Sequence, residues 1–337
     1  MHRTIRVRAK SMRISMLLTP ICDKNLELAA QVGVEEIVSI FPGLEEGVLK
    51  SLKQKVDSFG MRLTHIERKI PHDQIVHGLS GRDDQINTFI ELIKQMGGLG
   101  LKVLCYNWMP SEDWCRTSKD IPERGGSLCT GFDVNDPQLT VTDADGRASC
   151  NTTAQKLWEN LDRFLNEIIP IAEEEGVKLA LHPDDPPVDR FWGQDQIMTS
   201  IAALKKVVNL VPSDSNGICY CTGSLGPTGD NLVKGIEELG NSIHFVHLRN
   251  IKGNTNQFRE TWHDNGQIDL CSIIQALRKI NYSGTIRPDH VPTMIGESNE
   301  HPGYEMQGRI FAAGYIRGLL DANSLLNHEN AQQIFKN

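Results

Sequence analysis

Short runs of apolar or alternating residues recur along the chain, each followed by a longer stretch of helical period. The runs fall at 12–18 (MRISMLL), 36–40 (EIVSI), 62–68 (RLTHIER), 102–108 (KVLCYNW), 178–183 (KLALHP), 217–222 (GICYCT), 243–249 (IHFVHLR) and 284–289 (GTIRPD). Amphipathic helical segments lie between them, at 44–58, 84–96, 153–175 and 268–280, and a last helix is predicted over 304–321. Gly60, Gly176, Gly240 and Gly284 stand before the next run, as helix-stop residues do. Eight strand–helix units in strict alternation predict an α/β fold, a (β/α)8 TIM barrel. A doubly wound open sheet is the alternative, but it usually has a Gly-rich turn after its first strand, and TPICDKN here has no glycine.

The stretch 109–150, after the fourth strand, is too long for an ordinary connection and predicts a loop insertion that covers a site. No repeat or low-complexity linker divides the chain. The reading is one domain: a basic extension over 1–11, a catalytic barrel over 12–325, and a weakly patterned tail over 326–337.

Composition narrows the partners more than the fold. The 337 residues are 39% hydrophobic, enough for a large core, and the formal net charge of -8 argues against a nucleic-acid surface. The first ten residues are basic without an apolar run behind them, and no stretch is long and apolar enough for a membrane span. Eight scattered cysteines without compact spacing read as reduced thiols, and the expected location is cytoplasmic. Association into a homo-oligomer is left open.

Active sites of such barrels lie at the C-terminal ends of the strands, and four successive runs end in metal-ligand chemistry. The fifth ends in His182, the sixth carries Cys219 and Cys221, the seventh ends in His247-Leu-Arg249, and the eighth in Arg287-Pro-Asp289-His290. Side chains alternate along a strand, so Val246 and Leu248 should face the helices while His247 and Arg249 face the barrel. Two imidazoles, a thiolate and a carboxylate suit Zn, Fe(II) or Mn(II). The bland readings are a satisfied strand-end histidine, a loop-capping Asp289, and cysteines acting as small buried hydrophobes, which suits Cys219 best. Four candidates at matching heights outweigh them. His65 and Glu67 share a face at the end of the third strand, as a second polar cluster or a solvated rim.

At these residues the chain resembles the mannonate dehydratase family. The likeness is carried by CYNWMP at 105–110, DWCRT at 113–117, LHPDDPP at 181–187, NGICYCTGSLG at 216–226, HFVHLRN at 244–250, HDNGQIDL at 263–270, RPDH at 287–290 and the PGY that ends at Tyr304. The resemblance implies a divalent metal, Mn(II) or Fe(II), on His182, Cys221, His247 and Asp289. It also implies acid–base groups at His290 and Tyr304 beside Asp289, and dehydration of a small sugar acid, D-mannonate, to 2-keto-3-deoxy-D-gluconate. Arg249, Asn107, His263 and Arg116 are the substrate-binding candidates, although Arg249 has an internal ion pair with an acid such as Asp264 as its alternative. The first third departs from the family: its Arg-Trp-Tyr-Gly opening is absent, and its Glu-Ser-Val-Pro-Val-His segment is replaced by Glu67-Arg68-Lys69-Ile70-Pro71-His72. Competing classes are a metal-dependent sugar isomerase or epimerase on the same barrel, and a metal-stabilised binding protein.

Overall fold

The eight apolar runs form one closed barrel of parallel strands. They are β1 (Arg13–Leu17), β2 (Glu36–Ser39), β3 (Arg62–Glu67), β4 (Val103–Tyr106), β5 (Lys178–Leu181), β6 (Ile218–Cys221), β7 (Ile243–Leu248) and β8 (Thr285–Pro288). Each pairs with its sequence neighbours, and β1 closes the ring on β8. The computed structural model describes residues 12–111, 114–139 and 152–334, with side chains described as far as residue 323. The basic 1–11 segment therefore lies outside the described residues, as do Cys150 and the end of the 326–337 tail.

Alternation along the strands splits the apolar residues into two layers. Leu17, Val38, Val103, Cys105, Ala180, Cys219 and Phe245 fill the barrel interior. Their neighbours Met16, Ile37, Leu104, Leu179, Tyr220 and Val246 face outward, into a larger core shared with the helices. Those helices form for local reasons. Ala154–Glu174 begins at Thr153, whose side chain accepts from the Lys156 N–H, and Leu270–Lys279 begins at Asp269, which accepts from the N–H groups of Cys271 and Ser272. Gly60 and Gly176 end their helices in the left-handed conformation, at φ 76° and 62°. Gly284 has no positive φ; a side chain there would strike the Tyr282 ring instead.

The N-terminal end of the barrel is closed by Glu36. Its carboxylate accepts from Arg13 Nε at 2.6 Å, Arg62 Nη2 at 2.8 Å and Thr285 Oγ1 at 2.5 Å. Burial pushes its pKa up, but the Thr285 hydrogen bond and the Arg13 charge outweigh it and hold the group low.

Two features differ from the sequence reading. The insertion after β4 is not a plain loop: Ser118–Pro122 and Leu128–Asp133 are strands. They join Gln257–Thr261 and Asn250–Gly253, which follow β7, in a four-stranded antiparallel sheet. Asn250–Gly253 leaves directly from the C-terminal end of β7, and Leu128 bridges to Thr293 beyond β8, so this sheet stands over the C-terminal mouth. The final helix, Met306–Ile334, also runs past residue 321. Gly318 is the last breaker in that stretch, and nothing after it stops a helix.

Candidate active site

Strand register brings the predicted residues to one level. Cys221 lies opposite His247, and His247 opposite Arg287. Val246 and Leu248 pack in the outer core, while the His247 ring sits edge-on to interior Phe245 with centroids 4.6 Å apart. Ligand atoms of His182, Cys221 and His247 all lie within 4.8 Å of one another. Asp289 joins them through Oδ2, 3.6 Å from Cys221 Sγ. Cys219 falls in a different group, with Cys105 and His247.

This set has the features of a cation site. His182 Nδ1 donates to the Pro183 carbonyl at 2.6 Å, which leaves its Nε2 lone pair available. His247 Nε2 is buried and makes no hydrogen bond, with Glu67 Oε2 3.4 Å away, while Asp289 Oδ1 lies 2.9 Å from Arg287. A buried ring nitrogen without a hydrogen bond is rare in folded interiors and suits a ligand atom. Burial pushes Asp289 toward its neutral form, yet His290, Arg287 and Arg249 outweigh that and hold it well below the usual carboxylate range. His182 is shifted down, chiefly by burial, toward the neutral imidazole that binds metals. The residues present fit a divalent cation with mixed nitrogen, sulfur and oxygen ligands.

Beside the set runs a chain of hydrogen bonds. Tyr304 Oη is 2.7 Å from His290 Nε2, and His290 Nδ1 is 2.6 Å from Glu260 Oε1. Glu260 also accepts from Arg116 Nη2 at 2.5 Å, Arg249 Nη1 at 3.0 Å and Thr130 Oγ1 at 2.5 Å. Burial raises the Glu260 pKa, but Arg116, His290 and Arg249 bring it down to about 2, so the carboxylate is ionised. An ionised Glu260 fixes the tautomer: Nδ1 carries the proton, and Nε2 accepts from the tyrosine O–H. Arg249 Nη1 is 2.6 Å from the same Nδ1. With the proton on Nδ1 this is a close contact between two donors that share Glu260. Burial raises Tyr304 to about 12, so its hydroxyl keeps its proton.

These groups open on a cleft of about 380 Å³ lined by Glu67, Arg68, Asn107, Trp114, His182, Asp185, Arg287, Asp289, His290 and Tyr304. Of the substrate-binding candidates, Asn107 lines the cleft. Arg249, Arg116 and His263 do not. Arg249 pairs with Asp185 at 2.7 Å, Glu260 at 3.0 Å and Asp289 at 3.6 Å. The alternative partner Asp264 instead binds Arg124. Arg116 makes a two-pronged pair with Asp185, at 2.8 and 3.0 Å. His263 Nε2 donates to the Leu248 carbonyl at 2.7 Å behind the end of β7.

His65 and Glu67 are a buried cluster, not a rim. Glu67 Oε1 accepts from Arg287 at 3.0 Å and Oε2 lies 3.4 Å from His247 Nε2. Against burial, Arg287 and His247 draw Glu67 down to about 2. The sequence reading missed Glu260, Asp185, Trp114 and Arg68. Asp185 and Trp114 sit inside quoted motifs, and Arg68 in the departing segment. Glu260 had no signal.

Comparison with known proteins decides the family. A D-mannonate dehydratase family model matches residues 26–147 and 147–330, most of the chain. The chain belongs to the D-mannonate dehydratase family. It is 36% identical to the mannonate dehydratase of Oceanobacillus iheyensis over 296 residues, covering 81% of this chain and 84% of that protein. The crystal structure of mannonate dehydratase from Streptococcus suis serotype 2 superposes with a TM-score of 0.88 at 31% identity, covering 95% of both chains. A 3-keto-D-glucoside 4-epimerase from E. coli shares the fold, at a TM-score of 0.63 and 15% identity over 91% of this chain and 100% of that one. The D-mannonate dehydratase family is metal-dependent. Among the described residues no helix is long and apolar enough to cross a membrane.

Proposed function

We propose that this protein removes water from D-mannonate to give 2-keto-3-deoxy-D-gluconate, with a divalent metal, Mn(II) or Fe(II), held by His182, Cys221, His247 and Asp289. Membership of the D-mannonate dehydratase family supports the reaction. The observation that carries it is the hydrogen-bonded run Tyr304–His290–Glu260, in which Tyr304 and His290 line the same cleft as the ligand candidates His182 and Asp289.

Bound there, the metal supplies Lewis acidity against the charge that develops when a proton leaves the carbon next to a carboxylate. The chain supplies the proton transfers. His290 Nε2 bears the lone pair and takes the C2 proton. Glu260 stabilises the imidazolium that results and holds its plane. Tyr304 keeps its proton until the C3–oxygen bond breaks, then gives it to the departing hydroxyl, which leaves as water. The enol product becomes the 2-keto acid by moving its own hydroxyl proton to C3. The 2.7 Å contact between Tyr304 and His290 lets the proton return to the tyrosine and resets the pair. The antiparallel sheet over the mouth brings Trp114 to within 5.5 Å of the His290 ring, which limits water beside the base. The described cysteines are free thiols, in keeping with a cytoplasmic setting.

The test is an anaerobic assay of Mn(II)-loaded protein with D-mannonate, following the 2-keto acid and substrate mass together, with Cys221→Ala as control. Loss of one water by the wild type and not by the variant supports the reading. A product of unchanged mass would overturn it in favour of an isomerase.

A further inference from the structure

We propose that Cys105, Cys219 and His247 form a second, deeper site for a thiophilic divalent cation, one layer below the catalytic ligand set and in competition with it for His247. The site stands on its own geometry. The loss of turnover that it causes rests on the ligand assignment and the dehydratase reading above.

The ligand atoms of the three residues, two sulfurs and one ring nitrogen, lie within 4.8 Å of one another, the same limit that groups His182, Cys221 and His247. Two sulfurs on one ion, at bonds of about 2.3 Å, stand no more than ~4.6 Å apart, so little movement closes the set. The strands explain the layering. Cys219 precedes Cys221 by two residues on β6 and shares its inward face. It lies opposite Phe245, whereas Cys221 lies opposite His247. Cys105 comes from β4, opposite Ala180. All three residues are buried, yet Cys105 also lines the cleft that holds Asp289 and His290, which gives an ion a way in from the mouth.

The donors decide which ion. The catalytic candidates include a carboxylate and a single sulfur, a mixed set that suits Mn(II) or Fe(II). The deeper set has two sulfurs and no carboxylate, which favours softer ions such as Zn(II) and Cd(II). Its surroundings agree, because Leu17, Val38, Val103, Ala180 and Phe245 share the interior layer with the two cysteines. Binding sends both thiol protons to solvent. Two thiolates, a divalent cation and a neutral imidazole then make a centre of no net charge, which an apolar layer tolerates far better than an unpaired ion. A neutral imidazole has one lone pair, so His247 serves one ion at a time. An ion in the deeper site therefore takes a ligand from the catalytic set.

The experiment titrates Mn(II)-loaded wild type, Cys219→Ala and Cys105→Ala, and also Cys221→Ala, with Cd(II). It reads thiolate-to-cadmium absorption in the ultraviolet, released Mn(II) by electron paramagnetic resonance, and turnover of D-mannonate, and a thermal melt confirms each fold. Wild type should show the absorption of two thiolates per cadmium, with Mn(II) released and turnover lost in step. Cys219→Ala should turn over like wild type before cadmium is added and show at most one thiolate per cadmium. Its inhibition should need roughly 10- to 100-fold more cadmium, the loss already typical for groups one contact behind a metal ligand. Cys105→Ala repeats the test from the other strand, should Cys219→Ala fail to fold. Cys221→Ala should keep the two-thiolate signal, which separates the deeper site from simple replacement of Mn(II). One thiolate per cadmium in wild type, or a two-thiolate signal that survives loss of Cys219, overturns the site. A two-thiolate signal with Mn(II) retained and turnover unchanged overturns the competition for His247. If wild type makes no 2-keto acid at all, the dehydratase reading falls, and the absorption and Mn(II) release still decide the site.

Discussion

Replacing Glu260 by glutamine isolates what the carboxylate does for His290. The substitution keeps the shape and a hydrogen-bond acceptor but removes the charge 2.6 Å from Nδ1. With ~4 Å between charge centres and an effective dielectric of ~20, the interaction with an imidazolium is about 4 kcal/mol. Arg116 and Arg249 already draw on the same carboxylate, at 2.5 and 3.0 Å, so less than the whole of this reaches the transition state. A loss of ~3 to 4 kcal/mol corresponds to a fall in kcat of roughly 100- to 1000-fold. The two arginines keep Asp185 as a partner, which limits the fold's loss. Steady-state formation of the 2-keto acid gives kcat, metal content is read by elemental analysis, and C2-deuterated mannonate gives the isotope effect. If Glu260 supports the base, kcat falls, metal stays bound and the deuterium effect grows, because proton removal becomes limiting. A kcat within threefold of wild type, or a loss that tracks lost metal, refutes the reasoning.

Tyr304→Phe removes the proton donor without touching the ligands; kcat should drop about 100- to 10,000-fold at unchanged metal content, and retained activity would remove tyrosine from the mechanism. Chelation should abolish turnover and lower the melting temperature, since an ion at 100 times its Kd stabilises by about 2.7 kcal/mol; equal melts with and without metal would count against the site. Glu36→Ala strips the acid that receives Arg13, Arg62 and Thr285 at the barrel base and should cost ~3 kcal/mol in urea unfolding with kcat unchanged; a loss under ~1 kcal/mol would show that the cluster is slack. His244 donates Nδ1–H to the Leu179 carbonyl at 2.6 Å, and burial lowers its pKa from 6.5 to about 4. The folded protein therefore binds fewer protons than the unfolded chain, so this stability is present above pH 6.5 and lost as pH falls toward 4, up to ~3 kcal/mol. His244→Asn should flatten that acid limb, and an unchanged slope would assign it to other groups.

The barrel was legible because its signals are local. Each strand is a short apolar run with a fixed period, and the alternation at Phe245, Val246, His247 and Leu248 set which side faces inward before any contact was known. The four-stranded sheet was not legible. Its central pairing joins Gln257, Phe258 and Arg259 to Asp133, Phe132 and Gly131, more than a hundred residues away, and the polar run from Asn254 to Gln257 reads as surface loop. Glu260 was hidden for the same reason, since an acid between Arg259 and Thr261 looks solvated until the sheet carries it under His290. Arg249 was placed inward correctly, but its partners Asp185, Glu260 and Asp289 come from three separate segments that only the fold brings together.

The same holds for the three buried arginines at the mouth, each of which acts through another group. Arg287 lies 2.9 Å from Asp289 and 3.1 Å from His247 Nδ1, so it orients two ligand candidates. Arg116 and Arg249 hold Glu260, which orients His290. Each stands one contact behind a group with chemistry to do, and each is buried with opposite charges around it. Burying such pairs is costly, and removing one member leaves an uncompensated charge. Variants at these three arginines should therefore lose fold, metal and activity together.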